Sequence, residues 1–325
     1  MEPRLWFVCP DTDVPSGGIR VLYRHVEHLQ SAGHAAAVVH ERAGFRPTWF
    51  TSTAPVAYAD DIDAHTHDLV VMPEIFGPHL HAIAPGVRKA VFNQNAYNTF
   101  KGYDAPATAF AYRQPEVVGA VVVSDDNAEY LRHAFAGLDV RTVVNAIDPA
   151  LFRFRPLEEK RVRIAWMPRK NAVDAQQVLN ILAARDALDG VDVLALDGLT
   201  VAQVADALAD ALIFLSTGHP EGFGLPAAEA MASGCLTVGY HGMGGREFFT
   251  AETGVPIPHG DVVAFARAVE DLLQRHRERP GELAAFAASA AAAIRARYSP
   301  ERERESVLRA WLGLLHGTAV PVSVA

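Results

Sequence analysis

The stretch Ala211-Leu-Ile-Phe-Leu215, followed by Ser216-Thr-Gly-His219-Pro-Glu221-Gly222-Phe223-Gly224-Leu225-Pro226-Ala-Ala-Glu229-Ala-Met-Ala-Ser-Gly234 and then Cys235-Leu-Thr-Val-Gly239, decides the fold. Its first five residues are all apolar and stop at a polar turn, the mark of a short strand buried on both faces. Pro226 suits the first position of a helix, where a missing N–H costs nothing, and Gly234 suits the residue that ends one. The spacing predicts a helix over 226–233 between strands at Ala211 to Leu215 and Cys235 to Gly239. Strands that alternate with helices lie parallel in one sheet, with helices covering its faces.

The alternation continues in both directions. Strands are expected at Val162 to Trp166 and Val191 to Leu196, with helices at 173–188, 200–209 and 261–276. The first half repeats the pattern with strands at Leu5 to Cys9, Ala36 to His40, Leu69 to Met72, Ala90 to Phe92, Val117 to Ser124 and Val140 to Val144. In its first helix, Ile19 to Ala32, the residues Val21, Leu22, His25, Val26 and Leu29 share one face at helical period. A chain of 325 residues accommodates about two domains. The reading is an N-terminal Rossmann-like domain over 1–152 and a C-terminal one over 153–299, with a linker near 149–160 where two prolines punctuate a loop. A last helix, 300–316, follows the second sheet and is expected to pack back on the first domain.

Half of the residues are apolar and 21% are charged, an ordinary globular balance. The net charge of −9 argues against diffuse binding of nucleic acid. The two cysteines, Cys9 and Cys235, sit in apolar runs and exclude a disulfide framework. The Ala-rich segment 284–296 is too weakly apolar to span a bilayer, and the first apolar run is too short for a signal peptide. A soluble, cytoplasmic protein without an integral membrane segment is expected.

Ligands of such sheets bind beyond the carboxyl ends of the strands, so the loops there carry the chemistry. After the first strand, Ser16-Gly17-Gly18-Ile19 opens a helix, and without Cβ atoms its amides can approach an anion. The same residues also read as a plain strand-to-helix turn. After Leu215, Glu221 lies on the loop and Glu229 about a turn inside the helix, with seven residues between them. Both carboxylates can accept from paired hydroxyls such as those of a sugar or ribose. Residues 153–170 hold seven cations and two anions, the one markedly basic segment. Within it, Arg169 and Lys170 follow the strand Val162 to Trp166 and are the candidates to meet a phosphate. Asp11-Thr-Asp13 and Asp61-Ile-Asp63 offer a D-x-D pattern, and His65-Thr-His67 and His79-Leu-His81 offer imidazoles. Neither completes a convincing ligand set, so no metal site is assigned.

The segment E-G-F-G-L-P-x-x-E-A-M-A-x-G at 221–234 resembles the E-x7-E signature of retaining GT-B glycosyltransferases of family four. Further likenesses are Pro15-Ser-Gly17-Gly18, Gly33-His34, Val122-Val-Ser124, Asn145-Ala-Ile-Asp148-Pro-Ala-Leu-Phe152 and Gly244-Gly245-Arg246-Glu247, so the resemblance covers nearly the whole chain. It implies an α/β protein of GT-B fold, two Rossmann-like domains facing across a cleft. It also implies a metal-independent transfer of a hexose-type sugar from a nucleoside-diphosphate sugar to an acceptor hydroxyl, with the donor sugar nucleotide as substrate and no cofactor. Carried over position by position, Glu221 contacts the donor hexose and Glu229 the ribose. Amides at Gly17, Gly18, Phe223, Gly224 and Leu225 hold the diphosphate, with Arg169 and Lys170 as its clamp.

Two departures stand out. Arg169 and Lys170 are adjacent, whereas the family separates its Arg and Lys. Where the family often has a His after a mid-sheet strand, this chain reads Phe92-Asn93-Gln94-Asn95-Ala96-Tyr97, which makes Asn95 the candidate there. An amide is no general base at neutral pH, so the acceptor proton is left to the donor phosphate. A small molecule, a glycan or a lipid-linked glycan would suit the acceptor side. A GT-B sugar-nucleotide epimerase, a phosphorylase and a non-catalytic nucleotide-sugar-binding protein are the competing readings.

Overall fold

The structure is a computed structural model that describes residues 2–317. It divides into two compact units. Unit 1 is the chain up to Val144 with the chain from Glu301 on, and unit 2 is Asn145–Pro300.

Unit 1 is a seven-stranded parallel sheet: β1 (Leu5–Val8), β2 (Ala36–His40), β3 (Val56–Tyr58), β4 (Leu69–Pro73), β5 (Arg88–Asn93), β6 (Val117–Val122) and β7 (Val140–Thr142), in the order β3-β2-β1-β4-β5-β6-β7. The helix after β1, α1 (Gly17–Ser31), buries Val21, Leu22, His25, Val26 and Leu29, the face its periodicity marks. After β6 comes α2 (Asp125–Ala134), whose N-cap Ser124 accepts from the Asn127 amide.

Unit 2 is a five-stranded parallel sheet of β8 (Arg161–Trp166), β9 (Asp192–Ala195), β10 (Ala211–Ser216), β11 (Leu236–Gly239) and β12 (Val255–Pro256), ordered β12-β11-β10-β8-β9. Its helices are α3 (Ala172–Ala184), α4 (Val201–Asp210), α5 (Leu225–Ala232), α6 (Val262–Glu278) and α7 (Pro280–Arg297). A capping box between Thr200 and Gln203 starts α4, and the Asp261 side chain starts α6. Ile164, Leu212, Ile213, Leu236 and Val238 meet Val178, Leu182, Phe265 and Val269 in one apolar core.

The last helix, α8 (Pro300–His316), belongs to unit 1. Glu303, 1% exposed, accepts from Arg24 (2.5 Å) and His28 (3.0 Å) of α1. Trp311 is fully buried, edge-on to Phe7 (5.1 Å) and Phe92 (5.5 Å).

Four features differ from the sequence reading. The division falls after Val144, not after Phe152, because the Ile147 amide donates to the Tyr298 carbonyl (2.9 Å) and Arg295 to that of Phe152 (3.2 Å), tying 145–152 into unit 2. Residues 149–160 are therefore part of unit 2 and not a linker between the units. The edge strands β3 and β12, three and two residues long, are too short to show a period. The Ala-rich segment is α7, whose small side chains at Ala287, Ala290 and Ala291 are buried. No helix among the described residues is long and apolar enough to cross a membrane.

Candidate active site

Each sheet has a point where consecutive connections leave in opposite directions, and the crevice beyond the strand ends at such a point is the usual ligand site. In unit 2 that point lies between β8 and β10. A pocket is found there, lined by Met167, Arg169 and Lys170 after β8, by Ser216 at the end of β10 and Thr217, Gly218, Glu221 and Gly224 after it, and by Tyr240 and His241 after β11.

The two main loops are tied to one another. Asn171 donates from Nδ2 to the carbonyls of Thr217 (2.9 Å) and His219 (3.2 Å), and the Thr217 hydroxyl donates to the Lys170 carbonyl (3.1 Å). The Glu221 amide donates to the Gly242 carbonyl (2.7 Å), and the Gly244 amide to the Glu221 carbonyl (3.1 Å). Backbone bonds on both sides thus fix where the Glu221 side chain starts. Gly242 has φ +69°, and a Cβ there would lie 2.8 Å from the Glu221 Cβ, so only glycine lets this loop close on Glu221.

Lys170 Nζ lies 2.8 Å from Glu221 Oε2 and donates to the Pro220 carbonyl (3.1 Å). Arg169 is exposed at the same pocket. The His219 ring stacks on His259 (3.8 Å between centroids), and burial, with His259, His241 and Lys170 close by, pushes its pKa below the ordinary value. A neutral His219 leaves Lys170 and Arg169 to supply the positive charge. Gly224, at φ +94°, is the left-handed N-cap of α5, and Gly224, Pro226 and Ala227 bring the start of that helix to the pocket wall. Pro226 is the second helical residue, one place later than its sequence position suggests.

The other five cations of the basic segment are engaged elsewhere. Arg153 pairs with Asp206, Arg155 and Arg161 with Asp210, and Arg163 with Asp192. Lys160 is buried and donates to the carbonyls of Leu208 (3.0 Å) and Ala209 (2.8 Å) at the end of α4. Glu229 is buried in the second turn of α5 and is not among the residues lining the pocket. Phe223 packs its ring between Phe248 (5.0 Å) and Tyr298 (4.9 Å), so what it can offer a ligand is its backbone.

Residues 117–275, a span that includes every residue named in this pocket, match the family described as Glycosyl transferases group 1. The chain carries a glycosyl transferases group 1 domain. That makes it a glycosyltransferase. An alpha-1,6-glucosyltransferase of Actinobacillus pleuropneumoniae serotype 7 is 25% identical over 272 residues, covering 78% of either chain. Among solved structures, HepE of Anabaena in complex with UDP and glucose superposes with a TM-score of 0.67 at 14% identity, over 97% of this chain and 100% of that one. Sucrose-phosphate synthase of Thermosynechococcus elongatus does so with a TM-score of 0.66 at 12% identity, over 98% and 100%. At such identities the likeness speaks to the fold, and the expected GT-B architecture of two Rossmann-like sheets is borne out.

In unit 1 of the glycosyltransferase the connections diverge between β1 and β4. Gly17 and Gly18 start α1 beside this point, and Ser16 supplies no side-chain cap to their turn. Gln94, after β5, donates from Nε2 to the Gly18 carbonyl (3.0 Å), and a Cβ on Gly18 would come within 3.3 Å of that nitrogen. Asn95 caps the following turn, its Oδ1 accepting from the Tyr97 amide (3.2 Å). Asp11 and Asp13 hold a neighbouring loop: Asp11 accepts from the Arg42 amide (2.7 Å) and faces His40 Nδ1 (2.8 Å), and Asp13 accepts from the Thr48 amide (2.7 Å) and hydroxyl (2.8 Å). His65 stacks on His67, and the His81 side chain lies outside the described residues. Among the described residues, no group of three or more His, Cys, Asp or Glu is arranged to hold a metal.

Sequence reasoning missed two residues here, Glu74 and Gln94. Glu74 follows the buried run Leu69–Pro73, is 5% exposed, and accepts from the Gln94 amide (3.2 Å). Burial raises its pKa to about 7. A lone carboxylate directly after an apolar strand was the available signal.

Proposed function

We propose that this glycosyltransferase moves a hexose-type sugar from a nucleoside-diphosphate sugar to an acceptor hydroxyl, with retention of anomeric configuration and without a metal ion, in the manner of family four. The observation that carries the reading is the Lys170–Glu221 contact of 2.8 Å in the β8/β10 crevice, which sets a cation and a hydroxyl acceptor side by side. Lys170, Arg169 and the amides at Phe223 to Leu225 meet the charge that grows on the departing diphosphate. Glu221 accepts from hydroxyls of the sugar; Glu229, buried in α5 outside the pocket lining, is assigned to the ribose by the family resemblance alone. On unit 1, the Gly17 and Gly18 amides are the donors offered to an anion, and Asn95 is assigned to the acceptor side.

In the transfer, the bond from the anomeric carbon to the phosphate oxygen breaks with its electron pair going to the diphosphate. The acceptor oxygen bonds to that carbon on the same face, and its proton passes to a diphosphate oxygen. A glycan or lipid-linked acceptor and a cytoplasmic setting belong to this reading.

The glucosyltransferase relative and the HepE complex with UDP and glucose make UDP-glucose the first donor to test. The protein is incubated with UDP-, GDP- and dTDP-sugars, and release of nucleoside diphosphate is followed with and without a chelator. Release from one donor that survives chelation and is lost in Glu221→Ala is the expected result. Binding seen as a thermal shift, with no release in any combination of donor and acceptor, overturns the reading.

A further inference from the structure

We propose that Glu74 is a positioning residue for transfer: its carboxylate fixes the Gln94–Asn95 turn and, through Gln94, the Gly17–Gly18 start of α1, and its protonation lets both go. The inference rests on the reading above for what those two segments bind.

Glu74 follows β4, and the Gly17–Gly18 turn follows β1, so the two flank the divergence point of the unit 1 sheet. The carboxylate is nearly sealed from water, and the donors around it are the amides of Gln94 and Asn95, its own amide and the Asn98 side chain. All but its own amide come from the turn after β5, so Glu74 acts as the acceptor around which that turn is folded. Gln94 then spans from the turn to α1 by its Nε2 bond to the Gly18 carbonyl, a contact that the absence of a side chain at Gly18 permits.

An ionised carboxylate offers only acceptors, whereas a protonated one turns one oxygen into a donor, which the backbone amides of Gln94 and Asn95 cannot accept. Protonation thus breaks at least one of these bonds. Burial keeps the two forms in balance close to neutral pH, where desolvation offsets the amide donors. Tyr112, from the turn 111–113, faces Glu74, and burial lifts its phenol far above this range, so it stays neutral. Asn93 holds that phenol oxygen (2.8 Å) and the Thr99 hydroxyl (2.8 Å). From α2, Asp126 is engaged by the Tyr97 hydroxyl (3.1 Å).

The test uses the full chain, labelled with 13C at glutamate carboxyls and 15N at amides, titrated by NMR from pH 5 to 9, alongside the pH profile of kcat with the active donor. One carboxyl should titrate near pH 7 and be missing from Glu74→Gln, and the Gly18 and Gln94 amide signals should move with the same midpoint. The wild-type kcat should rise roughly tenfold between pH 6 and pH 8, as the ionised fraction of a group titrating near 7 does. Glu74→Gln should stay on the low plateau across that span, and Glu74→Asp should restore a pH-dependent limb. A Glu74 carboxyl titrating near 4.5, Gly18 and Gln94 signals that stay put, or a limb that persists in Glu74→Gln overturns the proposal. If no donor turns over, the transfer reading fails by itself. The NMR titration, which needs no substrate, still decides whether Glu74 governs the turn.

Discussion

Lys170 and Glu221 stand fifty-one positions apart in the chain, yet their charged ends meet at 2.8 Å, part-buried on both sides. Removing the ammonium leaves the Glu221 carboxylate without its cation and, on the proposed reading, the departing diphosphate without one of two positive side chains. Lys170→Met is expected to lower kcat/KM by about 10²- to 10³-fold, measured as donor consumption under steady state, with the fold intact by circular dichroism. The residue types at both positions were legible, because amide, ammonium and carboxylate chemistry belongs to the side chain alone. Their mutual distance was not, since it depends on β8 and β10 being neighbours in the sheet. Glu74 was passed over for a related reason: its character comes from burial, and burial is a property of everything packed around it.

At the scale of elements, α8 shows how a terminal helix becomes part of a sheet laid down far earlier in the chain. Trp311 fills the space against Phe7 and Phe92, and its indole N–H donates to His25 Nδ1 (3.1 Å). Arg88 of β5 donates to the carbonyls of Leu314 (2.7 Å) and Leu315 (2.8 Å), fastening the end of the helix. Trp311→Ala is expected to destabilise unit 1 by about 3–5 kcal/mol through lost burial and the cavity left behind. Urea unfolding followed by hydrogen exchange should show the loss in β1 and β5 amides and not in those of β8 and β10. The basic segment tells the opposite story about legibility. Its seven cations read as one patch, but five are spent on Asp192, Asp206, Asp210 and the end of α4, because strand and helix ends bring their own partners with them.

For the molecule as a whole, the buried Glu74 and His25 of unit 1 titrate with opposite sign, and buried His40 is lowered in the same direction as His25. Glu74 has its pKa raised from 4.5 to about 7, so its contribution to stability is full below pH 4.5 and is lost as pH rises through 7. His25 is buried neutral, its pKa lowered from 6.5 to about 3 by burial, so stability is lost as pH falls from 6.5 toward 3. Each changes stability by about 1.4 kcal/mol per pH unit inside its window, and between pH 4.5 and 6.5 the windows overlap with opposite slopes. Glu74 therefore offsets much of the histidine slope across that interval, and Glu74→Gln should lose about 3 kcal/mol more than the wild type on going from 6.5 to 4.5. Denaturant unfolding at three pH values checks both, and a wild type as steep as the variant would refute the Glu74 assignment.

The sequence by itself determined that strands and helices alternate, that there are two parallel sheets, and that the loop 216–225 and the residues 169–170 carry polar chemistry. These follow from period and residue type, which are local. Tertiary structure decided the rest: that β10 lies beside β8 and so joins Lys170 to Glu221, that residues 145–152 belong to unit 2, and that Glu74 is buried against Gln94. Strand order and burial are set by contacts between residues far apart in the chain, and no local pattern encodes them.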